Sequence, residues 1–312
     1  MANDMIWAQL VHLGFNMWCD NVQLHDNHEY TSARDEMRFD KSTWDELMEK
    51  FVEFGVNTAV IDLGEGVKYD SHPEIAAKDA WTTDELRAEL AKMREMGITP
   101  IPKMNFSACH DEWLGPYSRM LSTQKYYEVV KDLIAEVCEL FDKPALFHLG
   151  MDEEIYQHQK SYQYAVVRQH ELWWHDFMLM VNSVEKTGAR AWIWSDLVWD
   201  KPDEFYARMP KSVVQSNWYY GGGFRDDEKG AMAYADLEAH GYDQIPAGAN
   251  WGDAANFEKT VHFCTDRIAP ERLMGFMQTT WKPTVDRRKY RLFEGASEVG
   301  YGRRAFEANS GG

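Results

Sequence analysis

The sequence lacks the features by which several large classes of protein are recognised. It has no apolar run near the ~20 residues that a membrane-spanning helix requires. Basic residues are scarce, 33 against 51 acidic ones, and the formal net charge is -18. Such a charge repels phosphate backbones and anionic lipid surfaces. We therefore expect neither nucleic acid nor a membrane as a partner.

Motifs for metal, disulfide and nucleotide chemistry are also missing. The four cysteines, Cys19, Cys109, Cys138 and Cys264, form no C-x-x-C pair, which argues against a zinc knuckle or a disulfide scaffold. No G-x-G-x-x-G and no P-loop follows a predicted strand. We therefore expect no cofactor and no metal ion. The N-terminus lacks the basic and apolar regions of a secretion signal, so a cytoplasmic location is the default expectation.

What the sequence does contain is a repeated junction, in which an amphipathic stretch ends in glycine and a short apolar run follows. Glycine just past a helix closes its last turn in the left-handed conformation. The junction glycines are Gly55, Gly97, Gly188 and Gly241. Two capping boxes predict helix starts, Thr43 with Glu46 and Thr82 with Glu85.

Eight short apolar runs are predicted as strands, and a helical stretch can be drawn after each. They lie at 10–15, 58–63, 99–104, 145–149, 189–194, 213–216, 244–247 and 273–278. Eight alternating units indicate an α/β protein with a closed (β/α)8 TIM barrel. Since 312 residues suit one such barrel, we expect residues 1–312 to form a single catalytic domain.

The positions just past the predicted strands are rich in tryptophan and carboxylate and poor in cations. Flat aromatic faces stack on sugar rings, while carboxylates bind hydroxyls and protonate glycosidic oxygens. The strand-end tryptophans are Trp194, Trp218, Trp251 and Trp281. By contrast, Trp173 and Trp174 fall in mid-helix, where we expect packing. Because barrel enzymes react at this end of the strands, the pattern favours a carbohydrate site.

The sharpest local signal is the pair Asp152-Glu153 at the end of the fourth strand. Two adjacent carboxylates can divide the chemistry, one staying ionised and the other holding a proton as general acid. We expect the neighbouring Glu154 to be a solvated loop charge and His148 to be a hydrogen-bonded strand residue.

The segment 147–154, Phe-His-Leu-Gly-Met-Asp-Glu-Glu, resembles the His-x-Gly-Gly-Asp-Glu motif of family 20 glycoside hydrolases, the β-N-acetylhexosaminidases. Upstream, 97–105 is similar to that family's Gly-Ile-x-x-Ile-Pro-Glu-Ile-Asp segment, and His110 follows as its Pro-Gly-His histidine does. Downstream, 192–196, 213–218 and 278–281 are similar to its aromatic strand ends. The resemblance covers roughly residues 55 to 281.

The resemblance implies a retaining, substrate-assisted glycosidase acting on terminal N-acetylglucosamine or N-acetylgalactosamine. Asp152 would orient the 2-acetamido group, and Glu153 would protonate the leaving oxygen and later deprotonate water. Tyr219 or Tyr220 would donate a hydrogen bond to the acetamido oxygen. The pocket wall would consist of Trp194, Trp218 and Trp281.

The sequence departs from the family pattern at several positions. Met151 replaces the second glycine of the motif, and Lys282 stands where a glutamate follows the last tryptophan. The strand-one arginine that holds sugar hydroxyls is missing, and His12, Asn16 and Trp18 occupy that region. Asp196 and Asp253 are the candidates to replace it. We expect no N-terminal accessory domain, which leaves a barrel face open to a homodimer. His110 is either bonded to a site carboxylate or structural.

Two other functions remain open from the residues alone. A metal-dependent sugar isomerase or epimerase would use strand-end oxygen and nitrogen ligands, drawn from Glu65, His110, Asp152 and Asp196. A carbohydrate-binding protein would keep the aromatic cleft without turnover. In each case the partner is a small sugar or an oligosaccharide.

Overall fold

Eight parallel strands enclose the centre of the molecule in a computed structural model that describes residues 5–18, 20, 32–160 and 162–310. They are β1 (Ile6–His12), β2 (Thr58–Asp62), β3 (Thr99–Lys103), β4 (Leu146–His148), β5 (Arg190–Trp194), β6 (Val214–Ser216), β7 (Ala247–Ala249) and β8 (Gly275–Thr279). Hydrogen bonding runs from β6 in descending order to β1, and then to β8 and β7. Isolated bridges pair Gln215 with Gln244 and Trp218 with Ala247, across the remaining gap. The predicted (β/α)8 barrel is confirmed.

Helices follow the strands and surround the barrel. They are α1 (Lys41–Phe54), α2 (Thr83–Glu95), α3 (Gln124–Leu140), α4 (Glu171–Lys186), α5 (Leu197–Asp200), α6 (Pro202–Arg208), α7 (Lys229–Ala239), α8 (Asn256–Thr265) and α9 (Lys289–Ser310). A short parallel pair, Val67–Lys68 with Trp81–Thr82, lies outside the barrel. Within the described ranges, no helix is both long and apolar enough to cross a bilayer.

The strand bounds differ from the predicted ones mainly in β1 and β7. β1 begins at Ile6 and ends at His12, so the predicted run of 10–15 extends into the loop that follows. β7 begins at Ala247, although Gln244 already forms bridges to Gln215 and Leu273. Pro246 interrupts this ladder because proline has no N–H to donate.

The helix junctions follow the prediction, with one exception at a helix start. The four junction glycines all have left-handed φ values, 76° at Gly55, 79° at Gly97, 93° at Gly188 and 73° at Gly241. Thr82 and Glu85 form the predicted capping box of α2. The predicted box of Thr43 with Glu46 is wrong. α1 begins earlier, at Lys41, and Thr43 lies buried inside the helix.

Two apolar layers hold the fold together. The inner layer fills the barrel with side chains that include Leu10, Val60, Ile101, Trp192 and Met277. The outer layer packs the strands against the helices and includes Trp173 and Trp174 of α4, as predicted for mid-helix tryptophans. Cys109, Cys138 and Cys264 are buried and free. Cys19 lies outside the described residues.

A buried ion pair joins two neighbouring strands at their carboxyl ends. Lys103, the last residue of β3, donates to Asp62, its direct register partner on β2. Both side chains are almost fully buried, 0% exposed for Lys103 and 3% for Asp62. Burial raises the pKa of Asp62 despite the nearby ammonium. Each charge therefore depends on the other, because neither has water to replace its partner.

We predict that Lys103→Met destabilises the protein by about 3–5 kcal/mol, because it leaves the Asp62 carboxyl buried without its cation. Urea unfolding followed by tryptophan fluorescence measures the loss. The double variant Lys103→Met, Asp62→Leu removes both charges and should recover more than half of it. A single variant as stable as the wild type would show that the pair contributes no stability.

Candidate active site

A pocket of about 300 Å³ opens at the carboxyl ends of the strands. Its lining combines a ring of aromatic side chains with two carboxylates. The lining residues are Met17, Trp18, Asn105, His110, Asp152, Glu153, Trp194, Trp218, Tyr220, Trp251 and Trp281. The volume lies at the lower end of the range for small-molecule sites.

Asp152 and Glu153 meet at one buried histidine. The Nε2 atom of His110 lies 3.3 Å from Asp152 Oδ2 and 3.3 Å from Glu153 Oε2. Asn105 donates from Nδ2 to Asp152 Oδ1 at 2.8 Å. The side chain of Asp152 is 9% exposed and that of Glu153 is 27% exposed. Of the two interpretations of His110, the geometry supports the one in which it bonds a carboxylate of the site.

The electrostatics of this group keep opposite charges together. Burial alone would lower the pKa of His110, but the two carboxylates outweigh it and raise the pKa to about 10. Burial would likewise raise the pKa of Asp152. The charge of His110, followed by that of Lys103 and the Asn105 hydrogen bond, instead lowers it below its usual range. Asp152 is therefore a carboxylate, and His110 a cation, at neutral pH.

The turn that carries the two carboxylates is conformationally strained. Met151 has a φ of 75° and Glu153 a φ of 57°, both in the left-handed region. Such residues cost of order 1–3 kcal/mol each, and they concentrate at functional sites. Gly150 must be glycine, because a Cβ atom there would lie 2.0 Å from Asn105 Oδ1. Met151 takes the place of the second motif glycine without entering the pocket, and its side chain is buried in the outer layer.

Glu154 is not the solvated loop charge that we expected from the sequence. It forms an ion pair with Arg168, and both side chains are buried. The carboxylate also accepts from the backbone N–H of Ala108 at 2.7 Å. Arg168 in turn donates to the carbonyl of Phe106 at 2.7 Å. Glu154 thus ties the strained turn to the loop after β3, a contact between segments far apart in sequence.

The aromatic wall is built largely as predicted, with one change between neighbouring tyrosines. Trp281 donates from Nε1 to the Tyr220 hydroxyl at 3.2 Å, and Tyr220 lies 3.0 Å from Thr279 Oγ1. Trp194 and Trp218 complete the wall beside them. Tyr219 faces away and donates from its hydroxyl to the Gly223 carbonyl at 2.9 Å. Of the two tyrosines considered, Tyr220 is the one in the pocket.

The two aspartates proposed to replace the missing arginine lie outside the pocket lining. Asp196 accepts from the Glu153 backbone N–H at 2.9 Å and from Trp218 Nε1 at 3.3 Å. It therefore supports two pocket residues from behind. Asp253 pairs with Lys259 at 2.6 Å and accepts from the Ala255 N–H at 3.0 Å. Neither position favours direct contact with a sugar hydroxyl.

The first strand supplies apolar and aromatic side chains where the family pattern has an arginine. Met17 and Trp18 line the pocket, whereas Asn16 bonds the backbone of Arg34. The side chain of His12 is buried, and its Nδ1 atom lies 3.6 Å from Asp62 Oδ2. At the mouth, Trp251 is 60% exposed, and the Lys282 ammonium lies 4.8 Å from its ring centroid. The sequence feature that points to Trp18 as a pocket residue is its position just past the end of a predicted strand.

His148 is only partly the hydrogen-bonded strand residue that we expected. Its Nδ1 accepts from the Gly150 N–H at 3.0 Å. Its Nε2 is buried with no hydrogen-bond partner among the residues that the structure describes. The ring packs between Trp192 and Trp194, with centroids 4.8 and 4.7 Å away. Burial, followed by the charge of Lys103, lowers the pKa of His148 well below its usual value.

The four ligands of the metal-dependent hypothesis do not all lie together, since only His110 and Asp152 are in contact. Glu65 accepts from the backbone N–H groups of Phe15 and Asn16 at 2.8 and 3.1 Å, and Asp196 is held as described above. Within the described part of the chain, one group of three potential ligands lies within 4.8 Å, namely His110, Asp152 and Glu153.

The barrel resembles enzymes of known structure. A β-N-acetylhexosaminidase from Bacteroides fragilis superimposes with a TM-score of 0.62 at 14% identity, covering 95% of this chain and 65% of that one. A GH20 exo-β-N-acetylglucosaminidase from Vibrio harveyi has a TM-score of 0.62 at 14% identity, covering 98% and 57%. These likenesses confirm the family 20 resemblance at the level of the fold.

The sequence comparisons are weaker. No protein-family model matches the chain. A β-hexosaminidase from Emericella nidulans is 24% identical over 231 residues, which are 59% of this chain and 36% of that protein. The chain thus spans about a third of this curated relative and about three fifths of the two solved structures.

We predict that Asp196→Asn changes how stability depends on pH. Burial and the charge of Asp152 raise the pKa of Asp196 to about 7, whereas an unfolded aspartate titrates near 3.9. The folded wild type therefore holds an extra proton between about pH 4 and 7 and loses stability as pH rises through that window. The asparagine variant lacks this loss.

Thermal unfolding at pH 4.5, 6, 7 and 8 measures the effect. The melting temperature of the variant, minus that of the wild type, should rise by a few degrees up to pH 7 and then level off. The amide can accept only one of the two hydrogen bonds that Asp196 accepts from the Glu153 N–H and Trp218, and the loss of the other adds an offset to the difference. A difference that stays constant with pH would contradict the raised pKa.

Proposed function

We propose that this barrel is a retaining glycoside hydrolase that removes terminal N-acetylhexosamine residues by substrate-assisted catalysis. The observation that carries the proposal is the group formed by Asp152, His110 and Glu153 on the wall of an aromatic pocket. The fold shared with enzymes named β-N-acetylhexosaminidase supports the same activity. The pocket size suits one sugar ring at the end of a glycan.

Asp152 would act on the acetamido group of the substrate. Its carboxylate is held ionised by His110 and oriented by the Asn105 amide. An ionised acceptor at this position binds the acetamido N–H and stabilises the positive charge that develops when the acetamido oxygen attacks C1. The C1–O bond to the leaving group breaks as the new C1–O bond forms, giving an oxazolinium intermediate on the substrate itself.

Glu153 would move the proton in both halves of the reaction. It gives its proton to the departing glycosidic oxygen and later takes one from the water that attacks C1. Its side chain is more exposed than that of Asp152, which leaves it accessible to the leaving group and to water. Tyr220, which lines the pocket beside Trp281, would donate to the acetamido oxygen in place of its bond to Thr279 Oγ1.

The aromatic wall would hold the sugar and its acetamido methyl. Trp194, Trp218 and Trp281 offer large apolar faces against which the sugar ring can pack. Met17 and Trp18 take the region of the missing arginine, so apolar contact replaces ionic recognition of the hydroxyls there. This difference makes the relative use of gluco- and galacto-configured substrates an experimental question.

We predict that p-nitrophenyl N-acetyl-β-glucosaminide and N-acetyl-β-galactosaminide are cleaved and that the plain β-glucoside and β-galactoside are not. Glu153→Gln should lower kcat by about 10²–10⁴, because it removes the proton donor and acceptor. Asp152→Asn should lower it by roughly 10²–10³, because it removes the charge that stabilises the developing cation. Release of p-nitrophenol measures both.

The control is Asp84→Asn, an exposed carboxyl in the first turn of α2, which should retain wild-type rates. Cleavage of the plain glycosides would discard the role of Asp152 in orienting an acetamido group. Absence of turnover with detectable sugar binding would instead favour the carbohydrate-binding alternative. Loss of activity on dialysis against EDTA would favour the metal-dependent one.

We predict that Trp251→Ala acts mainly on substrate binding. The ring stands 60% exposed at the pocket mouth, where it can stack on the sugar or on the group bonded to it. Removing it should raise KM by roughly 5–10-fold, equivalent to about 1 kcal/mol, with kcat changed less than about 2-fold. Steady-state kinetics check this. Tyr301→Ala, a similarly exposed aromatic on α9, serves as the control. A fall in kcat at unchanged KM would contradict the binding role.

A further inference from the structure

A second histidine contacts the carboxylate of Glu153. The Nδ1 atom of His158 lies 3.3 Å from Glu153 Oε2, the same oxygen that lies 3.3 Å from His110 Nε2. The two imidazoles differ in exposure, with 4% of the His110 side chain accessible and 43% of the His158 side chain. One partner of Glu153 is therefore sealed in the protein, and the other is in contact with water.

His158 is placed by a short segment that is anchored at both ends. It lies in the 3₁₀ helix Tyr156–Gln159, which starts just after the strained turn. Next to it, buried Gln159 exchanges two hydrogen bonds with the backbone of Val166, at 2.7 and 2.9 Å. At the other end, the Glu153 carbonyl accepts from the Ile155 N–H at 2.6 Å. The hydrogen bonds of this segment thus hold His158 close to Glu153.

A cavity of about 170 Å³ adjoins this contact and shares Glu153 and Trp218 with the main pocket. His158 is part of its lining, as are the charged groups Glu154, Arg168, Asp196, Asp200 and Lys201. Glu153 therefore lines two spaces, the candidate sugar pocket and this second cavity. His158, which is accessible to solvent, contacts its carboxyl beside the second cavity.

The charged groups around Glu153 come from every loop packed against it. His110 belongs to the loop after β3, and Asp152 precedes Glu153 in the turn after β4. Asp196, in the loop after β5, accepts from the Glu153 N–H. The carboxylates raise the pKa of His110 to about 10, so its charge stays constant over the range in which glycosidases are assayed.

We propose that His158 is a positioning residue that controls the protonation of Glu153 from the second cavity. This rests on the proposed function, in which Glu153 is the general acid. When His158 carries a proton, its positive charge favours the Glu153 carboxylate. When His158 loses that proton, Glu153 retains its own more readily. Proton binding at the two sites is thus mutually unfavourable, and by linkage the effect is equal in both directions.

Two variants should shift the pH profile in opposite directions. The alkaline limb of kcat/KM reports loss of the proton from the general acid in the free enzyme. His158→Gln removes the charge and should move this limb up by about 0.5–1 pH unit. His158→Lys keeps a permanent charge and should move it down. His175→Gln, which alters an exposed histidine 3.5 Å from Asp176, should leave the limb in place. Limbs that coincide in all variants would overturn the proposal.

The coupling can also be measured without turnover. In protein labelled with ¹³C at histidine Cε1, the His158 resonance is assigned by its absence from His158→Gln. The midpoint of its titration should fall in Glu153→Gln by a certain number of pH units. The midpoint of the Glu153 carboxyl titration should rise in His158→Gln by the same number. An inactive wild type with this reciprocal shift would reject the glycosidase function and keep the coupling. An active wild type without the shift would reject the coupling and keep the function.

Discussion

The charge balance around Asp152 is the interaction on which the rest of the site depends. Its carboxylate is buried, and burial alone would neutralise it, but His110 and Lys103 hold it ionised. The same charge then acts on its neighbours, since it raises the pKa of His110 and that of Asp196. Lys103 in turn is balanced by Asp62 on the neighbouring strand. Asp152 therefore stays charged only when β2, β3, the loop after β3 and the turn after β4 are all in place. Its ionisation thus depends on the pairing of the barrel strands.

The strained turn after β4 is the second constraint. Left-handed conformations at Met151 and Glu153 are unfavourable in isolation and persist only where their surroundings hold them. The surroundings here are hydrogen bonds from several directions, with Asn105 accepting from the Met151 N–H, Asp196 from the Glu153 N–H, and the Glu154–Arg168 pair following directly. The arrangement turns adjacent carboxylates toward one histidine. Energy stored in the turn is thus offset by the barrel framework, and the result is a preorganised pair.

The departures from the family pattern fall into two physical kinds. Met151 is accommodated, because its side chain packs outside the pocket. The missing arginine is a real change in the site, because Met17 and Trp18 occupy the wall and Asp196 and Asp253 are engaged elsewhere. Under the proposed function, a pocket so lined would recognise a sugar chiefly through its apolar faces and its acetamido group. Hydroxyl recognition would then contribute less than in a site with a guanidinium.

The sequence by itself determined the barrel, and it predicted both the end of the barrel at which the candidate site lies and the pair Asp152-Glu153. These follow from local signals, namely apolar runs, glycines past helix ends and a strand-end motif, each contained within a few neighbouring residues. Only the tertiary structure decided that Tyr220 rather than Tyr219 enters the pocket, that Glu154 is buried, and that His158 joins His110 at Glu153. Those outcomes depend on the direction in which a loop leaves its strand and on partners such as Arg168, far along the chain. Side-chain spacing in a loop has no fixed period, so no local pattern encodes them.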